Sequence, residues 1–288
     1  MLPIADSFMR SIPVSVVIPV KNEERNLEKC LERLRGFSQI VVVDSNSTDK
    51  TIKIAESAGA EVVQFQWDGK FPKKRNWTLR NHPLRNKWVL FVDGDEYVTG
   101  EFKRELLEVL PVTENLGFWV TYQNYFMGKL LKHGEKFRKL SLFRIDAGEY
   151  ERIAEDRWSD LDMEVHEHPV IEGPVGRLRA PILHEDFKGL NAYIRRHNEY
   201  SDWEARRYYA VRNSSKSRWN KLTFWQRVKY RSLDSWLFGP LYFLVSYFVK
   251  AGFLDGKEGL MFAVFKMFYF FQIKCKIVKI RKPSQSKP

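Results

Sequence analysis

Asp93 and Asp95 flank a single glycine at the end of an apolar run, Lys87 to Asp93 (KWVLFVD), and Glu96 follows directly. Carboxylates one residue apart at the mouth of a buried strand gather oxygen donors in one place. Hard divalent cations such as Mg2+ or Mn2+ take such donors and commonly share them with substrate phosphates. A cation held there neutralises the charge that develops on a diphosphate leaving group. Two acids around a glycine recur by chance in many chains, so the weight of this pair comes from its position.

Other chemically capable residues stand at comparable positions. Pro19-Val20-Lys21-Asn22-Glu23 follows one apolar run, and Asp44-Ser45-Asn46-Ser47-Thr48-Asp49 follows another. Gly69 to Asn76 (GKFPKKRN) is basic, and its Arg75 can grip a diphosphate in bidentate fashion. Farther on, Met163 to Pro169 (MEVHEHP) and Ile182 to Asp186 (ILHED) bring together Glu164, Glu167, Glu185 and Asp186 with three histidines. The HEH spacing is not the H-E-x-x-H of zinc proteases. Alternate residues on a strand bring only two side chains to one face, and nothing else supports a zinc trio.

The elements that must position these groups alternate between strand and helix. Val14 to Ile18, Gln39 to Asp44, Glu61 to Gln66 and Lys87 to Asp93 are apolar, β-branched runs of strand length. Between the first two, Asn22 reads as a helix N-cap, with Glu23 and Glu24 at the positive end and Leu27, Leu31 and Leu34 on one face. Ser47 or Thr48 reads as the cap of a second helix that stops near Gly59. Strands starting roughly 25 residues apart make βαβ units, and strands buried on both faces make a parallel, doubly wound sheet. The fold class is therefore α/β, Rossmann-like, with a mostly parallel central sheet flanked by helices. Such sheets bind ligands in the crevice beyond the strand C-termini, where the acidic turns fall. No G-x-G-x-x-G follows the first strand and no G-x-x-x-x-G-K-[ST] occurs, which argues against a dinucleotide site and a P-loop.

The segments VSVVIPVKNEE, IVVVDSNSTDKT and VLFVDGDEYV, in this order and spacing, resemble the nucleotide-sugar-binding half of family 2 glycosyltransferases, the inverting enzymes of GT-A fold. VHEHPVIEGPVGRLRAPILHEDF, and later GFLDGKEGL, resemble the bacterial branch that includes lipopolysaccharide-core β-1,4-glucosyltransferases. The resemblance implies a GT-A catalytic domain over residues 1–186, its nucleotide-sugar half at 14–110 and its acceptor half at 111–186, with an extension over 187–288. It also implies a UDP-sugar donor, with Mg2+ or Mn2+ at the acidic turn. Carried over by position, Pro19, Asn22 and Glu23 line the nucleoside pocket, and Asp44 faces the base with Ser45 beside it. Asp93 faces the ribose side, Asp95 binds metal and Arg75 lies near the diphosphate. Lys21 stands where an aromatic or small residue is common, and Gly94 where alanine is common. Neither removes a donor group.

Inverting transfer needs a base that takes the acceptor hydroxyl's proton on the side opposite the leaving diphosphate. Glu167 matches the acidic position that follows the acceptor-side segment in the resembling enzymes, with Glu185 and Asp186 as runners-up. His184 reads either as a further metal ligand on a late strand or as a structural histidine. Two rival readings stay open. A polyprenyl-phosphate acceptor is already ionised and needs no base. A non-catalytic sugar-nucleotide-binding or scaffold protein would have a decayed site, against which the intact acidic turns argue.

Charge separates the chain into two parts. Residues 1–186 carry 27 basic against 30 acidic residues, and residues 187–288 carry 21 against 6. The second part also holds 23 of the 42 aromatic residues. Gly189 to Arg212 reads as a helix. Two apolar segments follow, Ser235 to Val249 (broken by Pro240) and Gly259 to Ile273 (interrupted by Lys266), and then the polybasic KCKIVKIRK. Each segment is too short to span a bilayer core of roughly 30 Å. Aromatics beside cations belong at the headgroup level. The extension is thus expected to be helical and membrane-associating, peripheral or monotopic, on an anionic membrane surface at the cytoplasmic face. A glycolipid or oligosaccharide acceptor fits that placement. A packed helical subdomain or a homo-oligomer interface is the alternative, and no RNP, KH or helix-turn-helix pattern supports nucleic acid. Two cysteines, Cys30 and Cys275, make no disulfide framework, and Met1 to Arg10 lacks the pattern of a secretory leader.

Overall fold

The computed structural model describes residues 11–135, 137–152, 162, 168–185, 189–213, 219, 222 and 224–281. The chain divides between residues 187 and 188 into two compact units, and the segment Tyr125–Glu135 goes with the second.

The first unit is built on four parallel strands, β1 (Ile12–Val20), β2 (Phe37–Asp44), β3 (Glu61–Gln64) and β4 (Trp88–Phe91). They lie in the order β3-β2-β1-β4, so the chain reverses direction across the sheet between β1 and β4. The apolar runs are continuous because both faces are covered. Val14, Val16, Ile18 and Val20 of β1 join Val42 and Leu90 on one face, with Leu27 and Leu31 from helix α1 (Leu27–Arg33) and Ala55 from α2 (Thr51–Ser57). Val17, Val41, Val43, Val89 and Phe91 form the other face, against Trp77 of α3 (Lys74–Asn81). Each such side chain, fully buried, contributes about 1.5–3 kcal/mol.

Beyond β4 the sheet turns antiparallel. β5 (Glu96–Val98), helix α4 (Gly100–Val109) and β6 (Gly117–Phe126) follow, with the short β7 (Lys129–Leu130) and then β8 (Phe137–Arg144). β8 runs antiparallel to both β4 and β6. β9 (Gly148–Tyr150) pairs with β10 (Pro169–Ile171), β11 (Val175–Arg177) runs parallel to β6, and β12 (Ile182–Glu185) runs antiparallel to β5. The last pairing sets His184 opposite Glu96, one residue from Asp95.

Two expected helix starts differ from the structure. Asn22 does not cap α1, which begins at Leu27 with Asn26 before it. Neither Ser47 nor Thr48 caps α2, whose N-cap is Lys50; the Asp49 carboxylate instead accepts the Thr51 amide at 3.0 Å.

The second unit contains α5 (Gly189–Arg212), α6 (Phe224–Ser232) and α7 (Phe238–Leu244), the last running on as a π turn to Val249. A 3-10 turn, Gly252–Asp255, leads into the long α8 (Gly256–Arg281). Ala205, Tyr208 and Val211 of α5 pack with Tyr230, Leu233, Ile273 and Ile277. Pro240 does not break α7. It stands in the first turn, where a missing N–H costs nothing. The second apolar segment does not stop at Ile273, because the polybasic stretch continues the same helix to Arg281. No helix among the described residues is long and apolar enough to cross a membrane.

Candidate active site

The polar turns converge where the strand order reverses. Asn22 adopts a left-handed conformation (φ 56°), which asparagine tolerates. From there its side-chain carbonyl accepts the Thr48 amide at 2.8 Å, while its own amide donates to Ser47 Oγ at 2.8 Å. The Glu23 amide donates to Thr51 Oγ1 at 2.8 Å and the Glu24 amide to Asp49 Oδ2 at 3.1 Å. These residues therefore stitch the loop after β1 to the loop after β2, which is why they do not cap helices. Asp44 is fully buried at the end of β2 and accepts from both the backbone and the hydroxyl of Ser47. Pro19 is buried in β1, and Ser45 is nearly so, its hydroxyl oxygen without a hydrogen-bond partner.

The turn after β4 divides its carboxylates between two tasks. Asp93 Oδ1 accepts from Arg75 Nη2 at 2.8 Å, and Asp93 Oδ2 from Lys139 Nζ at 2.7 Å. Lys139, on β8, also donates to Glu96 Oε1, whose other oxygen accepts the Asp93 amide at 3.0 Å. Burial pushes the Asp93 carboxyl up, but Lys139 and Arg75 outweigh it and hold it well below the usual range. Burial raises the Glu96 carboxyl to about 7 against the pull of Lys139. The Lys139 ammonium is itself held well above its ordinary value by Asp93 and Glu96, which outweigh its burial.

Asp95 faces a histidine instead. Its Oδ2 lies 3.5 Å from His184 Nε2, and its side chain keeps 13% of its exposure. Asn124 Oδ1 accepts from His184 Nδ1 at 3.1 Å, so the ring is oriented with Nε2 toward Asp95. An acceptor on the far ring nitrogen is the usual support of a metal-binding imidazole. Burial lowers the His184 pKa, but Asp95 outweighs it and the net direction is upward. Among the described residues no three of His, Cys, Asp and Glu form a cage for an ion. Mg2+ ordinarily takes one or two carboxylates and completes its shell with water and substrate phosphates. The Asp95 carboxylate fits that mode, and the His184 imidazole suits a transition-metal ion such as Mn2+ rather than Mg2+.

Gly94, between the two acids, makes room for Glu23, since a Cβ there would lie 3.3 Å from Glu23 Cγ. Glu185 does not face the site as a free base. Lys29 Nζ holds its Oε2 at 2.6 Å and lies 4.4 Å from the centre of the Tyr97 ring. Glu167 and Asp186 lie outside the described residues.

Three residues of this site have no obvious signal in the sequence. Lys139 is a cation inside an otherwise strand-like stretch, and that misfit is its one clue. Asn124 carries none. Lys74 reads as part of a solvated basic run, yet it is buried, its Nζ 3.0 Å from the carbonyl of Val20 and 3.3 Å from Asp162 Oδ2. Arg75, by contrast, is brought to the acidic turn and lies 5.2 Å from the centre of the Tyr150 ring.

A family model described as "Glycosyl transferase family 2" matches residues 15–162, which include most of β1, β2 through β9 and the whole acidic turn. The chain belongs to glycosyl transferase family 2. Its parallel β3-β2-β1-β4 half, with the Asp93–Asp95 turn at the reversal point, is the GT-A arrangement that the motifs imply. Among curated relatives of this glycosyltransferase, the "Lipopolysaccharide core biosynthesis glycosyltransferase LpsC" of Rhizobium meliloti (strain 1021) is 29% identical over 275 residues, 92% of each chain. An "Uncharacterized glycosyltransferase" of Rickettsia bellii (strain RML369-C) is 34% identical over 111 residues, covering 38% of this chain and 36% of its own. Glucosyl-3-phosphoglycerate synthase from Mycobacterium tuberculosis, solved with Mn2+, UDP and glucosyl-3-phosphoglycerate, is 27% identical over 40% of this chain and 44% of its own, at a TM-score of 0.31. That likeness is too loose to speak to fold or ligand.

Proposed function

We propose that this family 2 glycosyltransferase moves a sugar from a UDP-sugar, with inversion, to a lipid-linked or polysaccharide acceptor of the lipopolysaccharide-core type. One observation carries the reading: at the sheet's reversal point Asp93 is held by Arg75 and Lys139, while Asp95 faces an oriented His184. The LpsC relationship, over 92% of both chains, supports the acceptor class.

In this reading Pro19, Asn22, Glu23, Asp44 and Ser45 line the nucleoside pocket, and Asp93 meets the ribose side. Arg75, already positioned by Asp93, reaches toward the diphosphate. Asp95 and His184 hold Mn2+ rather than Mg2+, and the ion when bound supplies positive charge beside the departing diphosphate. The acceptor hydroxyl attacks the anomeric carbon from the opposite face, and Glu167 takes its proton, with Asp186 as the substitute. The basic extension places this chemistry at the cytoplasmic face of an anionic membrane.

A thermal-shift panel of UDP-, GDP- and dTDP-sugars, each with and without Mn2+, tests the donor assignment. A ligand that binds only the folded state raises its melting temperature. UDP-sugars should do so, and more strongly with Mn2+. Stabilisation by GDP- or dTDP-sugars alone would overturn the donor assignment.

A further inference from the structure

Helix α8 is apolar nearly all round, and such a helix is normally enclosed. Here one face is enclosed: Ala263, Ile273 and Ile277 are buried, the last two against α5. The other is open. Leu260, Phe268 and Phe271 are 40%, 53% and 49% exposed at helical spacing, and the exposed Cys275 extends their stripe. On α7 and its π turn, Leu237, Leu241, Leu244 and Phe248 make a second stripe, between 47% and 66% exposed.

The stripes belong to one surface. Gly239 lets α7 approach α8 closely, since a Cβ there would lie 2.9 Å from the carbonyl of Met267. The half-exposed rings of Trp236 and Phe271 meet at 5.8 Å, and Lys274 Nζ lies 5.1 Å from the centre of the Trp236 ring. Lys266, the cation that interrupts the apolar segment, points elsewhere. Its ammonium lies between the rings of Phe262 and Tyr269, at 5.6 and 5.7 Å.

Charge selects what covers this surface. From Ser235 to Arg281 the only acids are Asp255 and Glu258. Asp255 is buried and bound by the Lys132 and His133 amides, and Glu258 pairs with Lys129. Lys250 and Lys257 stand at the turn end of the stripes and Lys279 near the other, while Lys276 is bound by Asp202 and Arg281 by Asp234. A second copy would set these cations against their own kind. An anionic bilayer supplies both acyl chains for the stripes and opposite charge for their ends.

We propose that the α7–α8 face of the second unit lies in the plane of an anionic bilayer, with Leu241, Phe248, Phe268 and Phe271 entering the acyl boundary. This deepens the membrane placement proposed above and is independent of the transfer chemistry.

The test uses the full chain. Cys30 is buried and Cys275 exposed, so a thiol-reactive fluorophore reports from the stripe. Quenchers attached to lipid acyl chains should dim it in phosphatidylglycerol-containing vesicles and not in purely zwitterionic ones. High salt should release only part of the bound protein. The double variant Leu241→Glu/Phe248→Glu should lower the vesicle-bound fraction by at least about tenfold. Both positions are exposed, so its melting temperature and UDP binding should match the wild type. Binding that high salt abolishes completely, with no acyl-chain quenching, would overturn the proposal. So would concentration-dependent label-to-label transfer without vesicle binding, the signature of a second copy on this face. UDP binding measured on the same samples separates failure of this proposal from failure of the donor assignment.

Discussion

His184 Nε2 lies 3.5 Å from Asp95 Oδ2, and Asn124 holds the opposite nitrogen of the ring. The pairing of β12 with β5 brings the two together across 89 positions of sequence. Asn124→Leu should therefore raise the Mn2+ concentration needed for half-maximal transfer about 10–100-fold, the usual cost of losing an outer partner of a metal-binding histidine. The rate at saturating Mn2+ should largely recover. An unchanged Mn2+ requirement would remove His184 from the metal site.

Lys139, itself 27% exposed, pairs with Glu96, which is 1% exposed. Lys139→Met leaves that carboxyl and Asp93 without their shared cation. Urea melts should show a loss of about 1–3 kcal/mol, the usual cost of leaving a buried acceptor without its partner. Adding Glu96→Gln should restore part of it, and the non-additivity measures the coupling. Additive losses would mean that the contact contributes little.

The assignment of the base has a direct kinetic consequence. Glu167→Gln should lower kcat about 10²-fold or more with little change in UDP-sugar affinity. Glu185→Gln should leave kcat close to wild type and lower the melting temperature instead, because Lys29 occupies its carboxylate. The reverse pattern in single-turnover assays would move the base to Glu185.

The parallel half of the fold was legible because its strands are buried on both faces, and VVIPV, IVVVD and VLFVD are continuous apolar runs rich in β-branched residues. The acidic turn was legible for the same reason, since a charged pair at the end of such a run must lie at the crevice. Partners distant in sequence were not. Lys29 meets Glu185 across 156 positions and Lys139 meets Asp93 across 46, and no local propensity records either pair. Asn22 misleads because an asparagine that caps a helix and one that bridges two loops look alike until Ser47 and Thr48 are placed beside it. Pro240 misleads in the same way, since its effect depends on whether it stands in a first turn or mid-helix.

Acid should weaken the second unit through Asp255. Burial pushes its carboxyl up, but the His133 amide and ring and the Lys132 amide outweigh it, so the folded value is lowered. A lowered carboxyl contributes stability above its unfolded value, near ~3.9, and loses it as pH falls through the folded value. Asp255→Asn should cost about 2 kcal/mol at pH 7, and the gap should narrow as pH falls below the unfolded value and through the lower folded one. Helical circular dichroism followed through an acid titration reads both quantities. A gap that persists to the lowest pH would assign the loss to packing.

Calorimetric titration of UDP into wild-type protein and Asp95→Asn, each with Mn2+ and with EDTA, tests the central claim most directly. The amide keeps the shape of the side chain and removes the charge that holds a cation. Wild type should bind UDP much more tightly with Mn2+, and Asp95→Asn should bind weakly and equally in both conditions. Equal binding by the wild type with Mn2+ and EDTA, or an undiminished Mn2+ effect in Asp95→Asn, would contradict the assignment of Asp95 as the residue that couples metal to donor.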